Sequence, residues 1–480
     1  MVIPTQWSNY IDGQWVGSEQ MLGVENPATG KQIATVALAT VAQAEHALQS
    51  ARRCMAERSL IAMPPAQRAE LLFRAAEEIR KVADAGAQVL YLENGKRLED
   101  ARDEFMEAAR YFEYYAGMAD KIEGVSIPLG DNYVNYTVYE PMGVSVQIVP
   151  WNFPVSLCAR SLAPALAAGN ACVVKSPELS PLGMCVLFEA LERVGFPAGA
   201  LHLLCGLGAE IGEYLVSHPQ TDQIVFTGSV ATGQRIQQAA AQHSTPCVME
   251  LGGKSAAIAL ADADIANLVD NVKAGIFFNS GQVCSALSRL LVHRSIYDET
   301  VAALQVLVQG LTIGDGGAEA DITPVISAGQ QAQINALCQA AVESGAQQIA
   351  GQDKSLPDHG FYVAPAIYAV QDNQLPIAQE EVFGPVLCIQ AFDSMDEALR
   401  IANDSIYGLV AGVFGQDINQ ILYLTKRLQV GQVFVNEWFA GGIETPFGGV
   451  RLSGYGREKG QEGLYNYVQT KSITVKLRGG

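Results

Sequence analysis

Apolar runs that each end in a polar or glycine-bearing loop constrain this chain more than any other feature. Val144 to Val149 ends at Pro150-Trp151-Asn152-Phe153-Pro154, and Ala171 to Val174 leads into Lys175-Ser176-Pro177-Glu178. Leu201 to Leu204 leads into Cys205-Gly206-Leu207-Gly208, and Gln223 to Phe226 into Thr227-Gly228-Ser229. Helix-forming stretches separate the runs. Strands interleaved with helices at this spacing form a parallel sheet covered on both faces. Ligands on such sheets bind at the carboxyl ends of the strands, where these loops fall, so one pocket is expected to collect them.

The flanking regions read differently. Short strands and turns occupy the chain through Ala39. Thr40 then caps a helix to about Arg58, and Pro64-Pro65 opens another with Leu71, Leu72, Ala75 and Ile79 on one face. A third helix spans roughly Leu98 to Ala119, and none of the three carries a recognisable site. Tyr133 to Tyr139 alternates polar and apolar residues, as does Val468 to Leu477, so both read as strands that can share a sheet. They form either an arm that pairs with another subunit or an ordinary surface hairpin. After Glu250 the α/β style resumes, with strands at Leu290 to His293 and Phe434-Val435 and helices at Ile296 to Gly310 and Met395 to Asn403.

At 480 residues the chain calls for two or three domains. Its net charge of −19 argues against nucleic acid or an anionic membrane as partner. The nine cysteines are odd in number and lack a C-x-x-C pair, which excludes a Cys-based zinc ribbon and fits a reducing compartment. No metal site is expected. Residues 1–13 show no signal-peptide pattern, and no run approaches the roughly 20 apolar residues of a membrane span. A soluble cytoplasmic protein is the expectation.

The chemistry concentrates in two short segments. Glu250-Leu251-Gly252-Gly253-Lys254-Ser255 sets a carboxylate beside a glycine pair, and Asn279-Ser280-Gly281-Gln282-Val283-Cys284-Ser285 sets a thiol in a loop. A thiol that attacks carbon and a carboxylate that activates water suffice for two-step covalent chemistry. Each residue also has a plainer reading: Cys284 as a small buried hydrophobe, Glu250 as a strand-end carboxylate bonded to backbone. Asn152 is either a turn former or an oxyanion donor. Gly228 to Gly233 is either a phosphate-binding turn or a simple helix cap. Lys175 and Glu178 are either solvated loop charges or a pair that bonds ribose hydroxyls and repels a 2′-phosphate. Taken together they favour a dinucleotide, NAD over NADP.

These segments, with Glu381-Val382-Phe383-Gly384-Pro385 and Pro446-Phe447-Gly448-Gly449, resemble the NAD(P)-dependent aldehyde dehydrogenase superfamily, in order from about Tyr10 to Val475. The resemblance implies an α/β fold with a Rossmann-type cofactor domain (1–121 and 141–252), an α/β catalytic domain (253–452) and a β oligomerisation arm (122–140 and 466–480), assembled as a homodimer or homotetramer. It makes Cys284 the nucleophile, Glu250 the general base and Asn152 the oxyanion donor. Around NAD it places Ile148, Val149, Pro150, Trp151, Lys175, Ser176, Glu178, Gly208, Phe226, Thr227, Gly228, Ser229, Leu251, Glu381 and Phe383. Around the substrate it places Phe153, Arg160, Val283, Ser285, Trp438 and Phe439. The implied reaction oxidises a small-molecule aldehyde to the acid through a thiohemiacetal and a thioester.

The substrate itself stays open at this level. Arg160 suits an aromatic or carboxylated aldehyde or serves an internal salt bridge, and Ser161 stands where relatives often carry lysine. Trp438 and Phe439 suggest an apolar substrate; Glu437 and Glu444 suggest a cationic one, such as an aminoaldehyde. A broad aliphatic specificity, an acyl-CoA-forming enzyme and a non-catalytic binding protein on the same fold are the other readings. A histidine-based mechanism finds little support, because His293 lies in an apolar strand.

Overall fold

The structure, a computed structural model, describes residues 4–478. Residues 1–3 and 479–480, at the outer limits of the expected cofactor domain and arm, lie outside the described residues. Thr40 caps the helix Val41–Ala56 through a capping box with Gln43. Pro65 opens the helix Pro65–Asn94, which stops where Gly95 turns left-handed at φ 84°. Leu98–Met118 packs along it.

The expected parallel sheet is present. Cys247–Glu250, Gln223–Thr227, Val144–Ile148, Ala171–Ser176 and Leu201–Cys205 lie side by side in that order, all parallel. Antiparallel strands finish both edges: Gly454–Tyr455 beside Cys247–Glu250 at one, and Asn9–Ile11 beside Leu201–Cys205, followed by Gln14–Val16, at the other. From the central strand Val144–Ile148 the chain first builds outward to Leu201–Cys205, then returns to Gln223–Thr227 on the other side. That reversal opens a crevice above the carboxyl ends of the two central strands. Ala171–Ser176 runs longer than its apolar stretch, so Lys175 and Ser176 are paired strand residues.

A second sheet of seven strands draws on residues from Ala256 to Val435 and is parallel except at Gln347–Ala350. Leu251 to Ser255 carries the chain from one sheet to the other. Ser453 fastens this crossing: its carbonyl accepts from the Leu251 N–H at 2.9 Å, and its hydroxyl donates to the Gly252 carbonyl at 2.7 Å. Separate apolar cores support the two sheets.

Val468–Lys476 pairs antiparallel with Tyr133–Pro141 along its full length, and Ser126–Ile127 adds a short third strand. Tyr133, Val134, Tyr136 and Val475 of this small sheet are exposed. Among the described residues no helix is long and apolar enough to cross a membrane. Nor does any group of three or more His, Cys, Asp or Glu among them have the arrangement of a metal site.

Candidate active site

Cys284 follows a loop held in an unusual shape. Asn279, Ser280 and Gly281 are all left-handed, at φ 47°, 52° and 74°. For the two non-glycine residues this costs about 1–3 kcal/mol each, so tertiary contacts must hold it. The Ser280 hydroxyl donates to the Thr323 carbonyl at 2.7 Å and accepts from its N–H at 2.9 Å. Gln282 accepts from the Ile326 N–H at 2.9 Å and donates to the Asn279 carbonyl at 3.1 Å. A Cβ on Gly281 would collide with the Gly384 carbonyl, which explains why the Glu381–Pro385 motif accompanies this loop. The loop leaves Cys284 half-buried. Burial pushes its thiol up to about 11, opposed by Arg160 and reinforced by Glu381 and Glu250.

Asn152 is buried beside this loop, its amide donating to the Gln282 carbonyl at 3.0 Å. That bond uses one amide hydrogen and fixes the other. Support comes from a helix expected to carry no site. Glu104, in Leu98–Met118, accepts from the Val155 and Ser156 N–H groups and pairs with buried Lys96, which donates to the Asn152 carbonyl at 2.8 Å. The pair holds the start of the helix Pro154–Ala168 and the Asn152 carbonyl together. Removing one partner of a buried pair strands the other charge. Glu104→Ala is therefore expected to destabilise the protein by about 3–5 kcal/mol in denaturant titration, with activity lost in step.

Glu250 ends its strand 2% exposed, and among the described residues neither carboxylate oxygen has a hydrogen-bond partner. Burial holds its pKa well above the usual carboxylate range; Glu458 adds to the rise, while Arg160 and Arg457 oppose it. A Cβ on Gly448 would lie 2.7 Å from Glu250 Oε1, so this glycine gives the carboxylate its space.

Two cavities meet at the thiol. One, of about 210 Å³, is lined by Pro150, Trp151, Asn152, Thr227, Gly228, Ser229, Glu250, Glu381 and Phe383 as well as Cys284. The other, of about 480 Å³, is lined by Phe153, Arg160, Val283, Ser285 and Phe439 with Asn152 and Cys284. Lys175 and Glu178 form an ion pair of 2.8 Å at the neighbouring strand end, where Glu178 also accepts from the Gly208 N–H. Ser176 is buried in that strand, and Ser229 caps the helix Val230–Ala240.

Several expected residues sit behind the walls. Val149, Phe226 and Leu251 are buried in the core, and half-buried Ile148 packs against it, so they shape the crevice from below. Trp438 also lies beneath: its indole N–H donates to the Ser285 carbonyl at 3.1 Å and its ring backs Phe439. Arg160 forms a buried ion pair with Glu458, the internal bridge that was the alternative to substrate contact. In the 437–444 loop, Glu444 is bound by Arg110 at 2.7 Å and Glu437 faces solvent.

Sequence reading missed Glu458 and Lys459, which meet Arg160 and the larger cavity. It also missed Gln330 and Gln333 on the smaller one and the rings of Phe278, Phe434 and Phe447. The polar run Arg457-Glu458-Lys459 just after the Pro446–Gly449 motif was the available signal for the first two.

A thiol, an amide donor and a buried carboxylate gathered at the switch point of a doubly wound sheet define a thiol-dependent enzyme site. The aldehyde dehydrogenase family model matches residues 15–473. Betaine aldehyde dehydrogenase of Bacillus subtilis is 36% identical over 472 residues, 97% of this chain and 96% of that protein. Retinal dehydrogenase 2 of Homo sapiens is 38% identical over 474 residues, 98% of this chain and 91% of that one. The solved structure of betaine aldehyde dehydrogenase from Staphylococcus aureus, in complex with NAD+, matches with a TM-score of 0.96 at 36% identity, covering 98% of this chain and 95% of the other. The chain belongs to the aldehyde dehydrogenase family.

Proposed function

We propose that this family member oxidises apolar, chiefly aromatic aldehydes to carboxylic acids with NAD, through a thioester on Cys284. The observation that carries the reading is that Cys284 and Asn152 line both cavities, so one thiol faces a cofactor and a substrate together.

The residues present fit NAD. Lys175 and Glu178 offer a donor and an acceptor to ribose hydroxyls, and a 2′-phosphate would meet the Glu178 carboxylate. The turn at Gly228-Ser229 opens a helix whose N-terminal N–H groups suit a pyrophosphate. Glu381 and Phe383 wall the opposite side. When bound, NAD supplies the hydride acceptor. The chain supplies the rest. The Cys284 thiol gives up its proton to solvent water, its Sγ attacks the aldehyde carbon, and the free hydrogen of the Asn152 amide stabilises the oxyanion formed from the carbonyl. After oxidation the acyl group is held as a thioester. Glu250 takes a proton from water, which adds to the thioester carbon and expels the thiolate, releasing the acid. A carboxylate with a raised pKa is matched to that task. A product transferred to coenzyme A would leave Glu250 without work.

Aromatic rings favour an apolar substrate: Phe153, Phe278, Phe434, Phe439 and Phe447 surround the larger cavity. Arg160 lies over Phe447, 5.3 Å from its centroid, with its charge answered by Glu458, which weakens the carboxylated alternative. Exposed Asp103 and Glu107 at the cavity's edge support a second reading, a cationic aldehyde of the kind named for the betaine relatives. A kcat/KM panel of benzaldehyde, hexanal, betaine aldehyde and succinate semialdehyde separates them. Benzaldehyde is expected to exceed both charged aldehydes by about tenfold or more; a lead for either charged aldehyde would overturn the preference.

The domain limits proposed are those of the sequence reading, with the Gly454–Tyr455 strand assigned to the cofactor domain. The exposed apolar side chains of the three-stranded sheet suit pairing between subunits, as dimer or tetramer. Nine unpaired cysteines suit the reducing cytoplasm.

A further inference from the structure

Lys459 occupies a place that its backbone resists. At φ 62° and ψ 172° it lies in a region essentially reserved for glycine. Bonds on both sides fix it there. Glu458 exchanges backbone hydrogen bonds with Phe447 at 2.6 and 2.7 Å, and the Gly460 N–H donates to the Ile443 carbonyl at 2.7 Å. A glycine would meet this geometry without strain, so the reason for a lysine lies in its side chain. That side chain is half-buried and lines the larger cavity, its ammonium 6.0 Å from the centroid of the Phe447 ring. Arg160 rests on the same ring, but its charge is answered by Glu458. Among the described residues Lys459 has no ion-pair or side-chain hydrogen-bond partner. Burial lowers the pKa of its ammonium; Glu107 raises it in turn, and Glu458 and Cys284 act with Glu107 against Arg160.

We infer that Lys459 is a specificity-determining residue that donates a hydrogen bond to a ring oxygen of the substrate, so that hydroxylated aromatic aldehydes are the preferred class. This rests on the larger cavity being the aldehyde site. With the aldehyde carbon at Cys284, the substrate ring lies among the phenylalanines and its hydroxyl oxygen accepts from Lys459 Nζ. A carboxylate in that place would also meet the like charges of Asp103 and Glu107 on the cavity's edge, whereas a neutral oxygen meets no such conflict. Bare benzaldehyde leaves the ammonium to water.

The test measures kcat/KM for ortho-, meta- and para-hydroxybenzaldehyde, each relative to the matching methylbenzaldehyde, in wild type, Lys459→Met and Lys459→Gly. Comparison between enzymes cancels the electronic effect of the substituent. For at least one isomer the hydroxyl-over-methyl ratio is expected to fall by about tenfold or more in both variants, the worth of a hydrogen bond to a charged donor. Lys459→Gly suits the left-handed backbone, so a poorly folding methionine variant does not decide the result. In unaltered enzyme, the corresponding hydroxybenzamide, which cannot be oxidised, is expected to inhibit benzaldehyde oxidation about fivefold or more tightly than its methyl counterpart. Ratios unmoved for all three isomers, in variants that oxidise the methylbenzaldehydes, overturn the role of Lys459 while leaving the aldehyde site standing. Equal inhibition by every hydroxyl and methyl pair overturns it as well. A wild type that oxidises none of these aldehydes overturns both the role and the site.

Discussion

Replacing Cys284 with alanine is expected to lower aldehyde oxidation by roughly 10⁴-fold or more, because no other group then forms the covalent bond to the substrate carbon. The fold is expected to survive. The strained Asn279–Gly281 turn is held by Ser280, Gln282 and the Gly281–Gly384 approach, none of which uses the thiol. NAD affinity is expected to stay near wild type, since the smaller cavity keeps its other walls. NADH absorbance reads the first outcome, and calorimetric titration with NAD reads the second. The remaining cysteines offer no substitute: the two that are also half-buried, Cys247 and Cys338, line neither cavity. Turnover persisting in the alanine variant would move the chemistry elsewhere.

Glu250→Gln acts on the second half of the reaction. The glutamine keeps the shape but cannot take a proton from water, so steady-state turnover is expected to fall by roughly 10²–10⁴-fold. Acylation does not need the carboxylate, so a burst of NADH stoichiometric with sites should remain. The pH dependence follows from the raised pKa of Glu250. Only the ionised carboxylate is a base, so wild-type kcat is expected to rise with pH through that elevated value and then level. The variant should lack that rise. Stability moves the other way. A folded pKa above the unfolded one means the folded state holds the proton more tightly, so the contribution is full at low pH and lost as pH rises through the folded value. Glu250→Gln is thus expected to melt above wild type in alkaline buffer.

The crevice was legible in the sequence because it depends on local features. An apolar run that ends in Pro150–Pro154 or Thr227–Ser229 marks a strand end, and parallel strands place such ends together. The left-handed turn before Cys284 was not legible, since its shape depends on Thr323, Ile326 and Gly384, all distant along the chain. Arg160 presented two uses, and only the fold brought Glu458 to it. Trp438 read as a pocket aromatic, but its indole N–H finds a carbonyl beneath the floor, which turns the ring inward. Glu104 lies on a helix read as carrying no site and Lys96 in the short connection before it; only packing buries both beside Asn152. Periodicity reports which face of a helix is apolar, not which charge that face will enclose.

The central claim is an order of events: Cys284 takes the acyl group first, and Glu250 removes it. Rapid mixing of the Glu250→Gln enzyme with NAD and benzaldehyde, acid quenching during the burst, and mass analysis of the peptide containing Cys284 tests it directly. The account expects a benzoyl adduct on that peptide, accumulating in step with NADH to one equivalent per site. NADH formed without acylation of Cys284, or an adduct on another residue, would contradict it.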